Sequence, residues 1–150
     1  MNPPPEVQAA MREWQAVTDD LVTIARAFDP ARWDEPSACG GWTNRQLLVH
    51  LATGYGVRIA TLESVVEGTP APESDADAAH ARNVERLAGA PLDELVFELT
   101  RMRGRVLVLL SRLKAEHLAL ATPLGGGKPL REALPALSQH DLEHAAELRA

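Results

Sequence analysis

The spacing of apolar residues in the third quarter of the chain most constrains the fold. Six of them follow one another at intervals of four, three, four, three and four residues: Leu95, Leu99, Met102, Val106, Leu109 and Leu113. Intervals of three and four place side chains on one face of an α-helix. A seam of this kind packs against neighbouring helices. The pattern therefore predicts a long helix inside a helical bundle.

Three other segments carry a helical period, and no segment alternates as a strand does. They cover residues 6–28, 44–67 and 130–148, and a short helix is predicted from Ser74 or Asp75 to about Leu87. Thr43 and Gln46 form a capping-box pair at the start of the second helix. Pro135 lies inside the last segment and must kink it or mark its true first turn. We expect an all-α, antiparallel four-helix bundle with a short extra helix before the third long one, as a single domain over residues 1–150.

Charge and cysteine content narrow the classes of partner and compartment. The net charge of -6 and pI near 5.3 argue against nucleic acid, which needs a basic patch. The one cysteine excludes an internal disulfide and fits a reducing cytoplasm. No apolar run approaches the ~20 residues of a membrane helix, and the N-terminus lacks a signal-peptide pattern. We expect a soluble cytoplasmic protein with no membrane partner.

Two histidines lie one turn apart at the edge of the apolar face of the last helix. They are His140 and His144, in the stretch SQHDLEHAAEL. Side chains four residues apart have Cβ atoms about 5–6 Å apart, so both rings can reach one metal ion. His50, on the flank of the second helix, is the candidate third ligand if the two helices are neighbours. The alternative is that these are boundary histidines satisfied by water or a carboxylate.

The stretches PSACGGWTNRQLLVHLA and HDLEHAAEL together resemble the DinB-like superfamily. The resemblance is strongest to the N-terminal, metal-binding domain of mycothiol-dependent maleylpyruvate isomerases and to their stand-alone relatives. The matching positions are Gly41, Trp42, Thr43, His50, His140 and His144. The resemblance implies a four-helix bundle that holds one divalent metal ion through His50, His140 and His144. Some relatives have Glu where this chain has His140.

Three imidazoles without a fourth protein ligand leave an open position, as in catalytic metal sites. Imidazole suits zinc first and nickel second, and also iron or copper. The open position can activate water or bind a thiolate, and the resemblance favours a low-molecular-weight thiol such as mycothiol. The expected reaction is S-transfer to, or isomerisation of, a small electrophile. Isomerases of this branch carry a C-terminal domain that helps to hold the thiol. Since the sequence ends at Ala150, we expect a stand-alone relative.

Two other classes of function stay open at this point. The protein can be a metal-containing binding or sequestering protein without turnover, or a bundle whose histidines are structural. A homodimer is expected because bundles of this kind commonly pair through an exposed helix face.

Several residues near the motifs have two interpretations each. Cys39 is a reactive thiol near the pocket or a small loop residue, and Trp42 is a packing anchor or a wall of the pocket. Asp141 falls on the apolar stripe, where an unpaired carboxylate is costly. It either orients a ligand histidine or pairs with an arginine such as Arg58, Arg103 or Arg105. His80 and His117 are expected at the surface.

Overall fold

The fold consists of α-helical segments joined by short connections and 3-10 turns. The computed structural model describes residues 2–73 and 75–150. The α-helices are α1 (Pro5–Ala27), α2 (Asn44–Thr53), α3 (Gly56–Glu67), α4 (Ala76–Leu87), α5 (Leu92–Ser111), α6 (Leu130–Ala133) and α7 (Gln139–Arg149). Over these residues the chain forms only isolated bridges and no β-strand. The predicted all-α class is confirmed.

The helices pack as the predicted bundle, with α5 at its centre. α5 lies against α1, α2 and α3, and α7 lies against both α1 and α2. The short helix α4 packs on α2. The two segments that carry the candidate histidines, α2 and α7, are therefore neighbours. None of the described helices is long and apolar enough to cross a membrane.

The second predicted helix is divided in two, so the prediction of one continuous helix over residues 44–67 is wrong. Its start is confirmed, because Thr43 and Gln46 form both hydrogen bonds of a capping box. α2 ends at Thr53, and α3 begins only at Gly56. Gly54 costs about 1 kcal/mol of helix propensity relative to alanine. The next residue, Tyr55, is buried, and its ring meets that of Trp14 edge-on.

Pro135 interrupts the last predicted helix, as expected. α6 ends at Ala133, a 3-10 turn covers Leu134–Ala136, and α7 begins at Gln139. Proline has no N–H to donate and its ring clashes with the preceding turn, so an α-helix cannot run through it undisturbed. The histidine pair thus lies in the first two turns of a short, independent helix.

The short extra helix is present as α4, capped by the Asp75 side chain, which accepts a hydrogen bond from the Ala78 amide. Ser74, the alternative predicted start, lies outside the described residues. α4 brings His80 beside α2.

The core has two apolar clusters, one at each end of the bundle. The first includes Leu21, Leu51 and Leu99, and the second includes Leu62 and Val106. Where the two clusters meet lies a set of buried side chains with polar groups, here called the polar layer: Thr18, Arg103, Asp141 and Tyr55, whose ring also belongs to the second cluster. Each of these sits in sequence between a member of one cluster and a member of the other.

Candidate metal centre

Three histidine rings from two helices converge at one edge of the polar layer. His50 Nε2 lies 3.3 Å from His140 Nε2, and His144 Nε2 lies 3.1 Å from His140 Nε2. A ligand nitrogen of each ring lies within 4.8 Å of those of the other two. The i, i+4 spacing on α7 supplies two rings on one side, and the packing of α2 on α7 brings the third. All three sequence-predicted site residues are therefore together.

Carboxylates fix the ring nitrogens of the α7 pair. His140 Nδ1 lies 3.1 Å from Asp141 Oδ1, and His144 Nδ1 lies 2.8 Å from Glu147 Oε2. An ionised carboxylate only accepts hydrogen bonds, so each Nδ1 must carry the proton. In the neutral rings both Nε2 atoms then hold bare lone pairs that face each other. Such an arrangement repels itself unless a cation lies between the nitrogens.

His50 is held neutral by its surroundings. Burial is the largest cause, and the nearby His140, His80 and His144 add to it, lowering the pKa of His50 to about 3. The ring packs against the Trp42 ring, 4.8 Å between centroids, and against the His80 ring, 4.9 Å away, and these two rings also contact each other at 4.6 Å. Trp42 also contacts the apolar core. It thus both packs beside the start of α2 and walls the site.

Asp141 makes the contacts of both roles predicted for it: one with a candidate ligand histidine and others with arginines. Its Oδ2 accepts a hydrogen bond from Arg103 Nη1 at 2.9 Å, and Arg58 Nη1 lies 3.7 Å from its Oδ1. The same Oδ1 is the partner of His140. Burial pushes the pKa of Asp141 upward, but the hydrogen bond from His140 and the charges of Arg103 and Arg58 outweigh burial and lower it. Arg105, the other arginine considered, pairs with Glu63 instead.

Arg103 is itself enclosed by the polar layer. Its guanidinium donates to the Thr18 and Tyr55 hydroxyls and lies 4.0 Å from the centroid of the Trp14 ring. The Trp14 indole N–H donates to the Arg103 carbonyl oxygen at 3.1 Å. A buried charge pair is tolerated only when its remaining hydrogen-bonding groups find partners. These contacts supply partners for Nε and Nη1 of Arg103, whereas its Nη2 has no hydrogen-bond partner among the described residues.

Sequence reasoning missed Glu147 as a neighbour of the site. It lies three residues after His144, the separation at which helical side chains meet, so the spacing alone contained the signal. Glu147, His144 and Cys39 also form a second group whose ligand atoms lie within 4.8 Å of one another. Burial, followed by the Glu147 carboxylate, raises the pKa of Cys39. The thiol is near the site and stays protonated at neutral pH.

The remaining two histidines were both expected at the surface, and both are half-buried. His80 was expected at the surface but is half-buried against the Trp42 and His50 rings, and burial lowers its pKa. Its ring encloses the site but is not among the three converging nitrogens. His117 accepts a hydrogen bond from the Lys114 amide in a separate 3-10 turn.

The convergent nitrogens have the separation that one metal ion requires. Two nitrogens each bound ~2.0–2.1 Å from a tetrahedral zinc ion lie about 3.3–3.4 Å apart. The separations of 3.3 Å and 3.1 Å from His140 to the other two rings are close to that value. Three neutral imidazoles of this kind can hold a divalent ion and leave a fourth position open.

Comparison with solved structures finds the same fold. A crystal structure of the mycothiol-dependent maleylpyruvate isomerase, in a form with one histidine replaced by alanine, matches with a TM-score of 0.78 and 18% sequence identity. The match covers 100% of this chain and 64% of that chain, so this chain corresponds to less than two thirds of the isomerase. A search of curated proteins finds no match.

The family comparison covers nearly the whole bundle. The profile of the mycothiol maleylpyruvate isomerase N-terminal domain matches residues 14–148, from Trp14 in α1 to Leu148 in α7. This range includes both histidine-bearing helices and the whole polar layer. The chain therefore belongs to the mycothiol maleylpyruvate isomerase N-terminal domain family.

Proposed function

We propose that this protein is a metal-dependent enzyme that uses a low-molecular-weight thiol for S-transfer to, or isomerisation of, small electrophiles. His50, His140 and His144 hold one divalent ion through their Nε2 atoms. These three residues would hold the ion and leave room beside them for a thiol to bind it. Mycothiol is the proposed thiol, because the family and the matched crystal structure are both named for it.

One observation carries the metal site. His140 Nε2 and His144 Nε2 lie 3.1 Å apart although Asp141 and Glu147 place the proton of each ring on Nδ1. Two bare lone pairs at this distance repel each other, and an ion bound by both nitrogens would relieve that repulsion. Zinc is the ion proposed first, because imidazole ligands suit it and the two separations from His140 Nε2, 3.3 and 3.1 Å, are close to tetrahedral ones; nickel is the second.

The chain's own residues give the site its chemical character. When bound, the ion supplies Lewis acidity that lowers the pKa of a thiol or water at its open position. His50 stays neutral and therefore offers its lone pair throughout the physiological pH range. Trp42 and His80 exclude water from one side of the His50 ring. His140 is 42% exposed, which leaves an approach for small molecules on its side.

Three further expectations belong to this proposal. The reducing cytoplasm suits a thiol-using enzyme whose single cysteine is not in a disulfide. The organisation of residues 1–150 as one domain and the pairing of two copies as a homodimer also remain predictions.

Elemental analysis is the direct test of the metal centre. We expect the purified protein, loaded with zinc or nickel and desalted, to retain about one ion per chain, as a single three-ligand site should. His50→Ala, His140→Ala and His144→Ala should each lose most of it. His117→Ala is the matched control and should retain it, because its ring lies outside the converging group. Metal content near zero in the wild type, or unchanged in all three variants, would contradict the proposal.

A second assay separates catalysis from binding. The metal-loaded protein is mixed with mycothiol and a small electrophile, and the product is followed by mass spectrometry. Product formation that requires both metal and thiol, and that is lost in His144→Ala, supports an enzyme. Tight binding of the small molecule with no product would instead favour the alternative, a non-catalytic metal and small-molecule binding protein.

A further inference from the structure

Asp141 is the most enclosed charged side chain next to the proposed ligands. Its side chain is 0% exposed, whereas Glu147, the carboxylate on the other α7 histidine, is 30% exposed. Asp141 contacts His140, Arg103 and Arg58 at once, at 3.1, 2.9 and 3.7 Å. A carboxylate so placed has little freedom to move or to exchange its partners with water.

Arg103 holds this carboxylate in place from the centre of the bundle. It lies on α5 and is bonded to Thr18 on α1 and to Tyr55 at the start of α3. It is also packed on the ring of Trp14. The position of Asp141 is thus set by contacts to the helices that form the core, and not by α7 alone.

His140 needs such support more than its two partners do. Its side chain is 42% exposed, against 12% for His144. His50, for its part, is packed against the rings of Trp42 and His80. The hydrogen bond from Nδ1 to Asp141 is the contact that fixes both the tautomer and the direction of the His140 ring.

We propose that Asp141 is a positioning residue for the metal site, held in place by Arg103 through the polar layer. It keeps the proton of His140 on Nδ1 and directs Nε2 at the point shared with His50 and His144. This inference rests on the proposed metal centre. Through it, the same contacts that join α1, α3, α5 and α7 also set the geometry of one ligand.

The first test is Asp141→Asn, which keeps the shape but replaces one oxygen by an amide group that donates. The side chain can then no longer accept from both Arg103 and His140. We expect zinc affinity, measured by competition with a chromophoric chelator, to fall about 10–100-fold, the usual effect of losing a partner that orients a ligand. Asp20→Asn is the control. Asp20 is an exposed carboxylate on α1 that pairs with Arg149 of α7, and its variant should bind zinc as the wild type does.

The second test uses the double variant Arg103→Met/Asp141→Leu. Asp141→Leu alone would leave the buried Arg103 without its carboxylate partner. Apolar replacement of a complete buried ion pair is often tolerated by the fold. We expect this variant to fold, as judged by circular dichroism, and to show the same loss of zinc affinity. A purely structural role for the pair predicts unchanged affinity in the folded double variant, and that result would overturn the inference.

A third measurement needs no substitution. Long-range ¹H–¹⁵N spectra of the metal-free wild type report which nitrogen of His140 is protonated, and we expect Nδ1. The opposite tautomer would overturn the inference. Failure of the wild type to bind zinc would overturn the metal centre itself and this inference with it. Equal zinc affinity in the wild type and in Asp141→Asn would overturn the inference alone.

Discussion

At the scale of single residues, Gly54 provides the space that the His50 ring occupies. A Cβ atom at position 54 would lie 2.6 Å from the His50 carbonyl oxygen and 3.3 Å from Cε1 of its ring. The first contact is to backbone and cannot be relieved by a side-chain rotation. The break between α2 and α3 and the placement of a proposed ligand therefore depend on the same residue.

Substitution of this glycine should harm both stability and the site. We expect Gly54→Ala to lower the free energy of unfolding by about 1–3 kcal/mol, the usual cost of overpacking, and to weaken zinc binding. Urea denaturation and zinc competition measure the two effects. Gly56→Ala is the matched control, because a Cβ there meets nothing within 4 Å. It should be neutral or stabilising by about 0.4–1 kcal/mol. Equal behaviour of the two variants would contradict this account.

At the scale of elements, the capping box of α2 sets where the His50-bearing helix begins. The Thr43 side chain accepts from the Gln46 amide, and the Gln46 side chain accepts from the Thr43 amide. His50 follows two turns later. Trp42, the residue before the cap, packs against the His50 ring and walls the site.

Loss of the cap should destabilise the protein measurably. We expect Thr43→Ala to lower the free energy of unfolding by about 0.5–2 kcal/mol, because amide groups of the first turn lose their partner. Thr23→Ala is the control. The Thr23 hydroxyl lies on the exposed face of α1 and donates its hydrogen bond to the Asp19 carbonyl oxygen, one turn earlier in the same helix. There the gain in helix propensity should make the change neutral or stabilising by up to about 0.7 kcal/mol. Denaturant midpoints that move equally in both variants would speak against the cap.

At the scale of the whole molecule, the bundle does not depend on a metal ion for its core. The two apolar clusters and the polar layer contain none of the three histidines. The proposed ion joins only α2 and α7, at one edge of the polar layer. Metal binding should therefore add to the stability of a protein that is already folded.

Chelation and reloading test this expectation. The metal-free protein should keep its helical circular dichroism. Zinc at a free concentration of 100 times its dissociation constant should add about 2.7 kcal/mol, which corresponds to a rise in Tm of roughly 5–11 °C for a chain of this size. His144→Ala should show no such rise, and His117→Ala should show all of it. Unfolding on chelation would mean that the metal has a structural role instead.

The sequence pattern predicted those structural features that depend only on residues close together along the chain. The seam from Leu95 to Leu113, the capping box at Thr43, the interruption at Pro135 and the one-turn spacing of His140 and His144 are all local. Helix geometry repeats every 3.6 residues, so such features follow from residue order alone. The break at Gly54 was missed because glycine lowers helix propensity by an amount that tertiary contacts can override in either direction.

The sequence by itself thus determined most of the helices, their class of packing and which histidines share a helix face. It also offered His50 as the third ligand, first from its place on the second helix and then through the family resemblance. Only the tertiary structure decided that the three Nε2 atoms meet and that Asp141 serves His140, Arg103 and Arg58 together. It also decided that Cys39 lies beside Glu147. Apart from those within α7, these contacts join residues 38 to 108 positions apart. Their distances are set by how α2, α5 and α7 pack, and no periodicity along the chain encodes that packing.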